Sequence, residues 1–139
     1  MSDGTAALGP PRVSILSQSR VLIVSIHTAL HDGELLRLER DLLDRVDAQR
    51  AVGIVIDVSV LDVIDSFATH TLSRIEAAAR LKGARTVVVG ITPEVAMAVV
   101  GLSLQSRLVH TALDLEEGLM MLTEDDDWTA APTNLRTGS

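Results

Sequence analysis

Two stretches of this chain are apolar almost without interruption, "AVGIVIDV" (51–58) and "TVVVG" (86–90). A strand with one solvated face alternates apolar and polar residues. A continuous, β-branched run reads instead as a strand covered on both faces. Two such strands need layers above and below them, and the segments around them supply helical patterns. The chain is therefore expected to be a small α/β domain in which helices flank a sheet.

The helical period is clearest in "DGELLRLERDLLDRVDAQR" (32–50). Its apolar stripe is Leu35, Leu38, Leu42 and Val46, with Leu36 and Leu43 widening it. Arg37–Asp41, Arg40–Asp44 and Asp41–Arg45 fall on the solvated side at i,i+4 spacing. A second helix fits Ser66 to Lys82, with Ala68, Leu72, Ile75 and Ala79 on one face and Gly83 as its stop. Further on, "PEVAMAVVG" (93–101) reads as a short helix with Pro93 in its first turn, and "DLEEGLMML" (114–122) as a last one. Ahead of these, "RVSIL" (12–16) and "RVLIVSIH" (20–27), split by the polar "SQS", read as a β-hairpin. "RLVHTA" (107–112) reads as a short edge strand. The sum is a mixed sheet of about four or five strands with about four helices. Residues 1–10 read as a flexible leader, 11–123 as the domain, and 124–139 as a disordered acidic, Pro-containing tail.

Composition narrows the function. In 139 residues the formal net charge is −7, with one lysine, one Phe, one Trp and no Tyr. A nucleic-acid face needs a basic patch or stacking aromatics, so nucleic acid is not an expected partner. There is no cysteine, which removes thiol chemistry. No apolar run approaches the ~18 residues of a membrane span, and the first residues do not read as a signal peptide. A cytoplasmic location without membrane attachment is expected.

Right-handed crossovers would place Asp57 to Ser66, "DVSVLDVIDS", at the carboxyl end of a central strand, where sites in open α/β sheets collect. Several readings compete there. Asp65 or Ser66 can cap the following helix. Ser66 can instead be a phosphorylation site, gaining about −1.5 to −2 charges near a favourable helix dipole. Asp57, Asp62 and Asp65 could imitate a phosphoacceptor pocket, but no acidic pair follows "VLIVSIH" and no lysine follows "RLVHTA". Ser66 and His70, four apart, could form a nucleophile–base pair, but "IDSFA" has no glycine elbow. His27, His31 and Asp32 have metal-ligand spacing without a fourth ligand. Nucleotide-cradling glycine motifs are missing. No metal, cofactor or enzymatic activity is expected.

The stretches "GIVIDVSVLDVIDSFATHTLSRI", "ARLKGARTVVVGITPEVAMAVVGL" and "TALDLEEGL" together resemble the STAS domains of anti-sigma-factor antagonists. Within that family they are similar to the RsbS type, single-domain scaffolds of the bacterial stressosome. The resemblance runs from about Val13 to Leu122. It implies a non-enzymatic regulator that holds a serine/threonine switch kinase of the RsbT type and releases it when Ser66 is phosphorylated. Asp62, Asp65, Phe67 and His70 would then surround the phosphosite. Co-antagonists of the RsbR type and self-association into dimers and a larger assembly are the other implied partners. Those co-antagonists carry a sensor domain ahead of the STAS domain, and this chain has only about ten residues there. They also have a second phosphorylated threonine, at the position that Ala98 occupies here, so no second site is expected there; Thr92 would be a different site. Two other roles compete. One is a free anti-anti-sigma factor that binds an anti-sigma kinase directly. The other is a STAS module for a small ligand.

Overall fold

A computed structural model describes Arg12–Ile91 and His110–Thr123. The chain opens with strands β1 (Val13–Gln18) and β2 (Val21–Ile26), then helix α1 (Asp32–Gln49) and strand β3 (Gly53–Asp57). Helix α2 (Ser66–Leu81), strands β4 (Arg85–Val89) and β5 (His110–Ala112), and helix α3 (Leu115–Thr123) follow. The five strands form one mixed sheet in the order β1-β2-β3-β4-β5. Only the β1–β2 pair is antiparallel; β2 through β5 run parallel.

The hairpin turns more tightly than its polar "SQS" suggests. Strand β1 runs on to Gln18, which pairs with Val21, leaving Ser19 and Arg20 as a two-residue turn. Both have positive φ, 52° and 66°, the backbone that matches the right-handed twist of a hairpin. Ser17 and Gln18 are polar because that end of the edge strand is exposed, not because the strand has ended.

Helices α1 and α2 lie on one face of the sheet. The stripe Leu35, Leu38, Leu42 and Val46 is buried. Each such side chain contributes about 1.5–3 kcal/mol, which no exposed i,i+4 pair approaches. Leu38, Leu42 and Val46 join Leu22, Val24, Ile26, Ile54, Ile56, Val88 and the α2 residues Leu72, Ile75 and Ala79 in the main core. Leu36 turns outward, so the buried stripe is narrower than its sequence pattern. The ion pairs of α1 run between elements and not along the helix. Glu39 meets Arg74 of α2 at 2.9 Å, and Asp47 meets Lys82, the residue that caps the end of α2, at 2.8 Å. Glu34 meets Arg12 at 2.8 Å.

The opposite face carries a smaller core of Val55, Val87, Val89 and Ala112, with Leu119, Met121 and Leu122 packed on it. Helix α3 can come this close because of Gly118, where a Cβ would stand 2.7 Å from a Val89 methyl. Strand β3 is thus sandwiched: Ile54 and Ile56 serve one core and Val55 the other. That is the physical reason its sequence lacks alternation. The expected helix at 93–101, the first residues of "RLVHTA", the leader 1–10 and the tail 124–139 lie outside the described residues, as do Thr92 and Ala98.

Candidate functional site

Parallel strands β2 to β5 run toward one end of the sheet, and the β3–α2 connection there is held by a set of hydrogen bonds. Asp57, the last residue of β3, accepts the Ser59 N–H through its Oδ1 at 2.9 Å. The carboxylate thus turns the chain out of the sheet, a local competition with the ladder that aspartate is suited to. Val58 N–H donates to the Val89 carbonyl (3.0 Å) and Leu61 N–H to the Val58 carbonyl (2.9 Å). Ile64 then dips back into the core, 3% exposed, and fixes where α2 begins.

Strand β4 leaves beside this turn through Gly90, at φ +85°. A Cβ on Gly90 would stand 2.6 Å from Ser59 Cβ and 2.9 Å from Ser59 Cα. Two loops therefore touch backbone to backbone where any side chain would force them apart. Sequence reasoning does not single out Gly90, although a glycine directly after a fully apolar strand is the trace such an approach leaves.

Asp65 and Ser66 divide the roles that the sequence left open. Asp65 is the cap of α2: its Oδ1 accepts the Ala68 N–H at 2.8 Å, and its carbonyl accepts both the Thr69 N–H and the Thr69 hydroxyl at 2.9 Å. Ser66 is the first residue inside the helix, exposed, and its hydroxyl has no hydrogen-bond partner among the described residues. With the capping done by its neighbour, the Ser66 oxygen is structurally idle. Asp62 and His70 are exposed as well, while Phe67 is half-buried. Around them stand two outward apolar side chains that sequence reasoning misses, Val60 (60% exposed) and Val63 (73%). The surface at the start of α2 is thus acidic, apolar and hydroxylated together.

The other candidate constellations are not assembled. No hydrogen bond joins Ser66 to His70 among the described residues. His27 Nε2 is held 2.8 Å from Ser14 Oγ, and the His31 backbone N–H donates to Glu34 Oε1 at 2.8 Å. His27, His31 and Asp32 are not gathered, and no group of three or more metal-ligating side chains forms among the described residues. Among the described residues, three carboxyl or imidazole groups are shifted. Glu34 is held below the ordinary carboxylate range, first by the His31 N–H and then by Arg12. Burial pushes Glu76 up, against the pull of Arg80. His110 is pushed down, first by burial and then by the Arg80 charge. None of the three is in the β3–α2 loop.

The STAS-domain family model matches residues 12–118. The chain belongs to the STAS-domain family. A solved serine-to-glutamate variant of RsbS from Moorella thermoacetica is 35% identical, with a TM-score of 0.72 over 81% of this chain and 96% of that one. A chain of the stressosome, described as a signal integration and transduction hub, is 36% identical, with a TM-score of 0.69 over 79% of this chain and 96% of its own. The RsbT co-antagonist protein RsbRA of Bacillus subtilis is 31% identical over 91 residues, 66% of this chain. This STAS chain spans about a third of the length of that curated relative (33%). Among the described residues, no helix is long and apolar enough to cross a membrane.

Proposed function

We propose that this STAS domain is a non-enzymatic scaffold of a stressosome-like complex that sequesters a switch kinase of the RsbT type and releases it when Ser66 is phosphorylated. The observation that carries the reading is the division of labour at the start of α2. Asp65 holds the helix end, so the exposed Ser66 hydroxyl is available to a kinase without loss of a structural hydrogen bond. A phosphate there adds about −1.5 to −2 charges and three acceptor oxygens. The Ala68 N–H is already occupied by the Asp65 carboxylate, so the phosphate points its charge at whatever rests on this surface. Val60 and Val63 give that surface an apolar component, and a doubly charged group among them raises the desolvation cost of any docked partner. The fold is left intact and the docked state is not. Similarity to RsbS, to a stressosome chain and to an RsbT co-antagonist supports the kinase, the RsbR-type co-antagonists and self-assembly as the partners.

The test pairs intact mass with kinase capture. Wild type and Ser66→Ala are incubated with ATP and a switch kinase of the RsbT type, and retention of the kinase is measured alongside Ser66→Asp. The reading expects one added phosphate on wild type alone, retention by Ser66→Ala, and weakened retention by Ser66→Asp. Equal retention by all three proteins, or a phosphate that still appears on Ser66→Ala, would reject it.

A further inference from the structure

We propose that the cavity beneath the β3–α2 loop is a binding site for a small, uncharged, apolar molecule. The cavity holds about 200 Å³. Its walls are aliphatic: Ile26 from the end of β2, Leu35 from α1, Val58 and Ile64 from the loop, and Leu72 from α2. Each of these is less than a tenth exposed. An enclosed engineered cavity of ~150 Å³ with aliphatic walls takes up benzene; this one has similar room and opens to the surface past the exposed Ala29 and Val63, which gives a molecule of that size a way in.

The chemistry of the lip sets the class of ligand. Among the described residues the one ionisable group on the wall is Asp65, whose carboxylate is already engaged by the Ala68 N–H. No lysine, arginine or histidine among the described residues lines the cavity. An anion would find no countercharge and a carboxylate nearby; a strongly polar molecule would give up water for aliphatic walls. A neutral hydrocarbon-like molecule gives up no hydrogen bonds on entry and gains dispersion contacts with the walls. Its site also touches the first two turns of α2 through Ala68 and Leu72, so the occupant would buttress the helix end that bears Ser66. Binding itself is independent of the kinase reading, and its test uses no kinase.

The test is a methyl-resolved NMR titration of the full chain with benzene, and separately with benzoate. Benzene is expected to shift the Ile26, Ile64 and Leu72 methyls saturably, with a dissociation constant on the order of 1 mM, while Val87 in the opposite core stays still. Benzoate is expected to bind roughly tenfold or more weakly. Ala68→Leu, which places three further carbons in the cavity, is expected to abolish the benzene shifts. Three results would overturn the proposal: no saturable shift up to the solubility of benzene, equal affinity for benzoate, or shifts that persist in a folded Ala68→Leu. Should that variant not fold, the wild-type methyl map and the benzoate comparison decide alone.

Discussion

Gly90 and Gly83 offer a controlled comparison of what a methyl group costs in this fold. Both have positive φ, 85° and 91°, so alanine at either adopts a backbone that L-residues disfavour by roughly 1–2 kcal/mol. They differ in space. At Gly83, past the end of α2, a Cβ meets nothing within 4 Å, whereas at Gly90 it stands 2.6 Å from Ser59 Cβ and 2.9 Å from Ser59 Cα. Backbone cannot swing away as a side-chain tip can, so the loops must separate, and overpacking of this kind costs a further ~1–3 kcal/mol. Gly83→Ala should therefore lose about 1–2 kcal/mol and Gly90→Ala about 2–5 kcal/mol. Urea unfolding followed by circular dichroism measures both. Ser59→Gly in the Gly90→Ala background removes the nearer carbon but leaves the backbone carbon behind it, so it should restore only part of the difference. Amide exchange should rise between Ser59 and Ser66 in Gly90→Ala and not in Gly83→Ala, because the strain falls on the loop that leads to the phosphosite. Equal stability losses in the two alanine variants would refute the reasoning.

Asp65→Ala removes the α2 cap and should cost about 1 kcal/mol in the same unfolding assay, with Asp65→Asn retaining most of it; an unchanged midpoint in Asp65→Ala would deny the cap its role. Thr86 is fully buried and its hydroxyl has no hydrogen-bond partner among the described residues, so Thr86→Val, nearly the same shape, should gain about 1 kcal/mol; a loss of that size would show an interaction not seen in the structure. Burial holds the Glu76 carboxyl above its ordinary 4.5, so the folded state binds its proton more tightly than the unfolded state does. Stability from this group is greatest below pH 4.5 and falls as pH rises through the folded pKa. Glu76→Gln should accordingly be the more stable protein at neutral pH, its advantage over wild type vanishing below about pH 4.5; a pH-independent difference in thermal midpoint would contradict this.

Much of the fold is legible in local pattern. The unbroken run Ile54–Val55–Ile56 declares a two-sided strand, and the structure divides those three residues between the two cores. The four-residue stripe of α1 and the Gly83 stop of α2 come from periodicity and backbone chemistry that act within a few residues. Where the pattern misleads, a nearby element has changed the rule. Leu36 has the spacing of a core residue, yet the narrow contact with the sheet leaves it outside. Asp41 and Asp44 have i,i+4 spacing to the arginines of α1, yet the ion pairs that α1 makes toward α2 come from Glu39 and Asp47, which meet Arg74 within α2 and Lys82 just past its end.

The site divides in the same way. That Asp65 and Ser66 stand at a strand–helix junction follows from sequence alone, because capping preference and the change of period coincide there. Which of the two caps the helix does not follow, since both side chains can accept an N–H. It is decided where Ile64 anchors in the core, setting the first helical residue at Ser66 and the cap at Asp65. The approach of Gly90 to Ser59 leaves only a glycine after an apolar strand, and the cavity beside Ile64 leaves no local signature, because each joins residues brought together by the parallel pairing of β3 with β4 and the packing of α1 against α2. Sequence determines what each segment prefers within a turn or two; only the tertiary structure decides which preferences meet.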